Sequence, residues 1–459
     1  MRQPHRITLP GLLAASLIAC GPSPTVTANS SDPTPPSAVW LQADVTGSPL
    51  VNVMLGGGPF ASQLAATDSV RLTARADDPD GGMRSLRLMM RIRQPRLGTA
   101  VLAPFQPATA TTSSATPGQQ VSPSATVSWT VSATTFASGA ALGGLEVMAE
   151  AENFAGQVSR TPVLSLCVKD VQLRVHAVPL SDDDGSHAPQ VTPTQFADAV
   201  QRANRVYCGT GIQFRFDSVT DWAAQRSTGM NRDQTIRADG NTLADGLPRR
   251  VVMFLRWGGD PASVTGNGNA YPPPGIGTVP LNMVDEDQHY VALPSLYPTT
   301  GLSFLTLQNG SFMAHELGHY LGLYHTFPGW GGNTLPVYAT DPADASQTDR
   351  AIVTYVRANG GTTDAMDGDR VADTPPDPGV LVFQKRGVDP CADHRVNVTA
   401  SVGGQPFTYT FIPDLANAMS YYDLCDKGPD PLPRDFSPAQ VARMHLVLSV
   451  PARSSLLLP

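Results

Sequence analysis

The chain has 459 residues, with 31 Lys and Arg against 39 Asp and Glu, giving a formal net charge of −8. The charge is spread along the chain with no basic run, which argues against nucleic acid as a partner. The length exceeds what one compact core usually serves, so two domains are expected.

Residues 1–20 read MRQPHRITLPGLLAASLIAC, with a basic start at Arg2 and Arg6 and an apolar core from Leu9 to Ile18. That core is too short to span a bilayer as a stable helix. Its end, Leu17-Ile18-Ala19-Cys20, resembles a bacterial lipobox. The resemblance implies that residues 1–19 are a signal peptide, removed before Cys20, and that the Cys20 sulfur carries lipid. The expected product is an exported bacterial lipoprotein, held by that anchor at the cell envelope or cell surface. No later stretch approaches ~18 uninterrupted apolar residues.

Residues 20–37 are rich in Pro, Ser and Thr and nearly free of large apolar side chains, so an extended tether is expected. Residues 38–168 carry short alternating segments: Ser69–Ala74, Leu86–Met90, Thr126–Val131 and Leu145–Ala149. Gly, Pro and Ser clusters punctuate them, as in an all-β sandwich. The turn Asp77-Asp78-Pro79-Asp80-Gly81-Gly82 resembles the acidic turn of bacterial immunoglobulin-like domains. Its expected role is the turn itself, with calcium the lesser alternative. Ala108–Ser124, full of Ser, Thr and Pro, is expected to be a long mobile loop.

Near Lys169 the composition changes, and residues 169–459 are expected to form an α/β (α+β) domain. Val171–His176 alternates as a strand. Thr192 caps a helix from Pro193 to about Tyr207 with Phe196, Val200 and Val206 on its apolar side. Gly211–Phe216 and Arg250–Leu255 are further strands, and Ser437-Pro438 opens a last helix carrying Val441, Met444 and Val447. Apart from Cys20, the cysteines are Cys167, Cys208, Cys391 and Cys425, which suit two disulfides in an exported protein. Three connectivities exist, and sequence proximity favours Cys167–Cys208 and Cys391–Cys425. A zinc site made of all four is the alternative, though no CxxC pair supports it.

The stretch that carries chemistry is Phe312-Met313-Ala314-His315-Glu316-Leu317-Gly318-His319-Tyr320-Leu321-Gly322-Leu323-Tyr324-His325. His315 and His319 are four residues apart, so on a helix both imidazoles leave one face and reach a single ion. Gly322 suits the left-handed conformation that ends a helix. The following turn then brings His325 in as third ligand and leaves a position open for water, the arrangement of a catalytic zinc site. Glu316, beside the first ligand, is placed to act as general base. It is also the last glutamate in the chain, which removes a downstream glutamate as third ligand. An aspartate or His394 could compete for that place, and the Gly322 turn favours His325.

The HExxHxxGxxH pattern resembles the metzincins, and finer features narrow the resemblance to the pappalysin (cytophagalysin-like) family over roughly Lys169–Val450. The features are the helix ending His319–Phe327, the loop Gly368-Asp369-Arg370-Val371-Ala372-Asp373-Thr374-Pro375-Pro376, and the closing segments Asp423-Leu424-Cys425 and Phe436–Met444. The resemblance implies a methionine turn at Asn417–Tyr422, with Met419 as an apolar floor and Tyr421 stabilising the oxyanion. It also implies a Cys391–Cys425 disulfide, and calcium at Asp367, Asp369, Asp373 and Thr374. The connection from Phe327 to Asp367 is longer than the family's and includes the helix-like DASQTDRAIVTYVRANGG.

The expectation is therefore a multidomain chain, an immunoglobulin-like sandwich followed by a metzincin domain. It would act as a monomeric zinc endopeptidase on protein or peptide substrates, with substrate extended along an edge strand within Gly277–Val284. The alternative is a surface-binding or adhesive lipoprotein with a vestigial metal site.

Overall fold

The computed structural model describes residues 25–43, 52–57, 69–93, 104–132, 144–161, 163–189, 191–232, 237–257, 270, 288–294, 311–328, 345–384, 386–389, 394–422 and 435–457. The signal peptide, Cys20, the 277–284 segment, Cys391 and Cys425 lie outside these residues. The chain is a multidomain mixed α/β protein that divides into two compact units. The first comprises Met1–Gln94, Leu102–Val171 and Cys208–Gly211; the second comprises Pro95–Val101, Gln172–Tyr207 and Ile212–Pro459.

The first unit is built from β1 (Val26–Thr27), β2 (Ser37–Ala43), β3 (Asn52–Gly57), β4 (Ser69–Asp77), β5 (Met83–Arg93), β6 (Gln106–Thr112), β7 (Gln120–Val121), β8 (Ser124–Ser132), β9 (Gly144–Asn153), β10 (Val158–Arg160) and the start of β11 (Leu164–Ser181). β2, β4 and β8 form one antiparallel sheet. β6, β5 and β9 form another, in which β9 also pairs with β10 and with the first residues of β11. Side chains alternate across a strand, so Leu72, Ala74 and Ala76 of β4 and Val127 and Val131 of β8 turn inward together. They meet Leu86 and Leu88 of β5 and Leu145, Val147 and Ala149 of β9 in one buried core. The four segments read as strands from their alternation all lie within β4, β5, β8 and β9.

Two expectations are corrected in this unit. From Thr25 onward the stretch read as a tether is packed: β1 pairs antiparallel with β7, and Ala28 and Asp32 are buried. Residues 108–124, read as a mobile loop, contain most of β6, all of β7 and the start of β8. The first reading rested on the scarcity of large apolar side chains and the second on the abundance of Ser, Thr and Pro. These segments are held instead by backbone hydrogen bonds, among them Gly118 N–H to the Ala28 carbonyl (2.7 Å) and Asn29 N–H to the Gly81 carbonyl (3.1 Å).

In the second unit, α1 (Pro193–Val206) starts from a Thr192 capping box and buries Phe196, Ala199, Val200 and Ala203. β12 (Gly211–Arg215), β13 (Gln225–Arg226), α2 (Thr228–Arg232), α3 (Arg237–Asp245), β14 (Val251–Arg256) and β15 (Tyr290–Pro294) follow. The later part of β11 runs parallel to β14, and β14 parallel to β15. All six residues of β14, Val-Val-Met-Phe-Leu-Arg, are buried, as expected of a parallel strand covered on both faces. The chain continues through α4 (Ser311–Tyr320), α5 (Ala345–Ala358), α6 (Val380–Gln384), β16 (Val396–Val402), β17 (Gln405–Phe411), α7 (Pro438–Ser449) and α8 (Pro451–Ser454). The helix-like part of the long connection is α5. With the antiparallel β16–β17 hairpin it buries Ile352, Val353, Val356, Phe383, Val398 and Phe411 in a separate core that also takes in Tyr422.

Candidate metal centre

The zinc-type motif lies on α4 and the turn after it. Met313, Ala314, Leu317 and Leu321 are fully buried or nearly so, which anchors the helix and fixes the direction of its histidine face. Tyr207, the C-cap of α1, donates its hydroxyl to the Ala314 carbonyl (3.2 Å). At the other end, buried Arg453 donates to the Tyr320 carbonyl (3.2 Å) and covers the Tyr320 ring.

The helix stops at Gly322, which has φ +91°. Gly322 N–H donates to the His319 carbonyl and Leu323 N–H to the Gly318 carbonyl, both at 2.9 Å. This pair of bonds is the Schellman arrangement, and its left-handed residue favours glycine. The reversal carries His325 back to the face that His315 and His319 share.

The three Nε2 atoms form a triangle with every side 3.1 Å. Its centre is about 1.8 Å from each corner, so a point at the zinc–nitrogen distance of ~2.0–2.1 Å from all three lies just off the plane. The rings are 3–6% exposed. His315 Nδ1 lies 2.8 Å from the Ala418 carbonyl, and His319 Nδ1 2.8 Å from the Leu323 carbonyl. Each carbonyl takes the Nδ1 proton and leaves the Nε2 lone pair free for a metal, the usual outer support of a metal-binding histidine. Burial holds His319 down at about 4. His325 is likewise held well below the usual histidine range, by burial and then by its two neighbours. Neutral, convergent imidazoles are the donor set a divalent metal needs, and the residues fit it.

Glu316 is 4% exposed, and burial pushes its carboxyl up to about 8, opposed by a hydrogen bond from the Ala270 amide. Met419 is fully buried under α4: a Cβ built on Gly318 would lie 2.5 Å from its sulfur. The same turn ties two ligand segments together, because Ala418 O faces His315 and Met419 O accepts from Thr326 N–H (3.3 Å). Tyr421 is half-buried, with its ring 4.9 Å from that of His325 and 5.5 Å from that of His315. Tyr422 is fully buried and donates its hydroxyl to Asp377 (2.8 Å).

The acidic loop has a structural use that its composition did not disclose. Asp369 Oδ1 accepts from the Thr374 hydroxyl (2.7 Å) and its Oδ2 from Gln440 (2.8 Å). Asp373 accepts from the Ser437 hydroxyl and the Ala439 amide, at the start of α7 (2.6 and 2.9 Å). Asp367 accepts from the Arg370 amide (2.8 Å). Among the described residues these three carboxylates do not converge as a metal-sized cluster. Burial, with the Asp367 charge adding to it, pushes Asp369 up to about 7.

Two further residues shape the centre: Asp377 escaped the sequence reading, and Gly368 entered it only as the first residue of the acidic loop. Asp377 is fully buried and takes the Thr326 hydroxyl on one oxygen (2.7 Å) and the Tyr422 hydroxyl and Gly379 amide on the other. It thereby joins the neighbour of His325 to the neighbour of Tyr421. Gly368 lies against the segment after His325: a Cβ there would sit 2.2 Å from the Phe327 carbonyl carbon and oxygen.

No family model and no curated protein matches the sequence. Among solved structures, the chain has a likeness to Spo0M, a sporulation control protein from Bacillus subtilis, at 9% identity and TM-score 0.16, covering 29% of this chain and 48% of that one. It has another to beta-glucuronidase 2 of Bacteroides uniformis, at 9% identity and TM-score 0.16, covering 51% of this chain and 35% of that one. The chain thus spans less than half the length of either, and likenesses at this level assign no family or activity.

Proposed function

We propose that this chain is a zinc-dependent endopeptidase of the pappalysin-like metzincin type. The observation that carries the proposal is the triangle of Nε2 atoms from His315, His319 and His325, closed by the Gly322 turn, with buried Glu316 beside it. A bound zinc ion supplies Lewis acidity that lowers the pKa of water to ~7. Glu316 accepts the water proton and passes it to the leaving amine nitrogen. Its burial suits that task, because a carboxyl held up by desolvation keeps a proton long enough to hand it on, while a nearby cation draws it back toward ionisation. Tyr421, whose ring lies 4.9 Å from that of His325 and 5.5 Å from that of His315, donates its hydroxyl to the oxyanion of the attacked carbonyl.

In the same proposal the first unit is an immunoglobulin-like domain that joins the enzyme to a lipid anchor on Cys20, and the protein works at the cell envelope or cell surface. Cys208 pairs with Cys167: its sulfur is buried and lies 4.0 Å from the carbonyl of Leu166, next to Cys167 in the chain.

The test is Glu316→Gln. The variant is expected to keep one zinc per chain while losing at least ~100-fold in hydrolysis of a mixed peptide library. Full activity in that variant, or wild-type cleavage that a zinc chelator does not abolish, would refute the proposal.

A further inference from the structure

The first unit brings a second set of metal-ligating side chains together. Asp32, from the packed segment before β2, meets Asp78 and Asp80 of the β4–β5 turn, and one oxygen from each lies within 4.8 Å of the others. Asp32 is 2% and Asp78 1% exposed, whereas Asp80 is exposed.

One oxygen of each buried carboxylate has an ordinary partner. Asp32 Oδ1 accepts the Thr34 amide (2.8 Å) and Asp78 Oδ1 the Gly81 amide (2.9 Å). The remaining oxygens, Asp32 Oδ2 and Asp78 Oδ2, are buried and make no hydrogen bond of ordinary geometry. An uncompensated buried carboxylate is costly, and two side by side cannot both remain ionised without a counter-charge. Burial pushes the Asp78 carboxyl up, opposed by the Gly81 amide and the Asn153 side chain and reinforced by the neighbouring Asp80 carboxyl and then by the Asp32 charge.

The surroundings hold the three carboxylates in place. A Cβ on Gly81 would lie 2.1 Å from Asp32 Oδ2, so only glycine at that position lets Asp32 press against the turn. The Thr34 hydroxyl donates to Asp80 Oδ2 (2.8 Å), and fully buried Asn153 donates to the Thr34 carbonyl (3.0 Å).

We propose that Asp32, Asp78 and Asp80 bind calcium, and that the ion clamps residues 25–36 onto the β4–β5 turn. The donors are carboxylate oxygens without nitrogen or sulfur, which favours a hard cation over zinc. Exposed Asp80 leaves a side open to water, which suits the variable coordination of calcium better than the strict octahedron of magnesium. Affinity in the ~10⁻⁴–10⁻³ M range of extracellular calcium modules is expected, so the segment is firmly held where calcium is at millimolar level and looser where it is scarce.

The competing explanation is a proton held by Asp78 and shared with Asp80, with no ion. Hydrogen exchange of the zinc-loaded full chain separates the two, measured with calcium and with a calcium chelator. At ~10 mM calcium, exchange in peptides spanning 25–36 and 78–83 is expected to slow by about 10-fold or more. The reporters include the amides of Ala28, Asn29 and Gly82, which donate to Gln119, Gly81 and Asp78. Asp32→Asn and Asp80→Asn are expected to abolish the calcium effect while exchange in the second unit is unchanged. Asp80 is exposed, so Asp80→Asn decides the matter if Asp32→Asn fails to fold. Exchange indifferent to calcium in the wild type, or equal protection in Asp80→Asn, overturns the proposal. Neither outcome depends on the zinc centre or on peptidase activity.

Discussion

Gly368→Ala isolates how the metal centre depends on a backbone contact far from it in sequence. Gly368 N–H donates to the Thr326 carbonyl (3.0 Å), and the residue lies flat against the segment that carries His325. A Cβ there would lie 2.2 Å from Phe327 C and O and 2.6 Å from the His325 carbonyl oxygen. Ordinary contact begins near 3.4 Å, so the two backbones must part by about 1.2 Å, and no flexible side-chain end is present to give way. That parting breaks the Gly368–Thr326 bond, worth ~0.5–1.5 kcal/mol, and adds overpacking of ~1–3 kcal/mol. It also exceeds the ~0.2 Å within which metal–ligand distances are held, so His325 should leave the triangle formed with His315 and His319. The expected result is a lower Tm and zinc affinity weakened by ~100-fold, at the upper end of what support residues contribute. Competition against a chromophoric chelator measures the affinity, and circular dichroism of the metal-free variant separates local displacement from unfolding. Zinc affinity within threefold of wild type would show that the Gly368 contact does not position His325.

Three other outcomes are expected. Asp377→Ala strands the Thr326 and Tyr422 hydroxyls and the Gly379 amide, so a loss of ~3–5 kcal/mol by chemical denaturation is expected; Asp377→Asn, which keeps one acceptor, should recover part of it. Tyr421→Phe should lower kcat by ~10²–10³-fold with little change in KM or zinc content, the pattern of a lost oxyanion donor; an unchanged kcat would reduce Tyr421 to packing. Asp182, held well below the usual carboxylate range by Arg232 and then by Asn231 and His187, contributes stability that is complete above its unfolded pKa of ~3.9 and is lost as pH falls toward its folded value. Thermal unfolding from pH 6 down to pH 2 should therefore show a shallower decline in Asp182→Asn than in the wild type.

Local regularities made a good part of this molecule legible in one dimension. The strands β4, β5, β8 and β9 follow from period-two alternation, and α1 and α7 from a Thr or Ser cap followed by Pro; α5 falls in the stretch read as helix-like. The histidine triad was legible for the same reason: four residues on a helix and a glycine turn are short-range geometry. The β16–β17 hairpin carries the same alternation around Gly403-Gly404 and was not among the expected elements.

What the sequence by itself determined is the chemistry of the donors: three histidines, a glutamate and a left-handed glycine whose spacing requires no distant partner to bring them together. Tertiary structure alone decided what surrounds them. Asp377 reaches Thr326 across 51 positions and Tyr422 across 45, Asp369 meets Gln440 across 71, and Asp32 reaches the turn that begins at Asp78. No periodicity links residues so far apart. Their pairing is set by which buried donors and acceptors remain unmet once the sheets and helices have packed, and that is known only when the chain has folded.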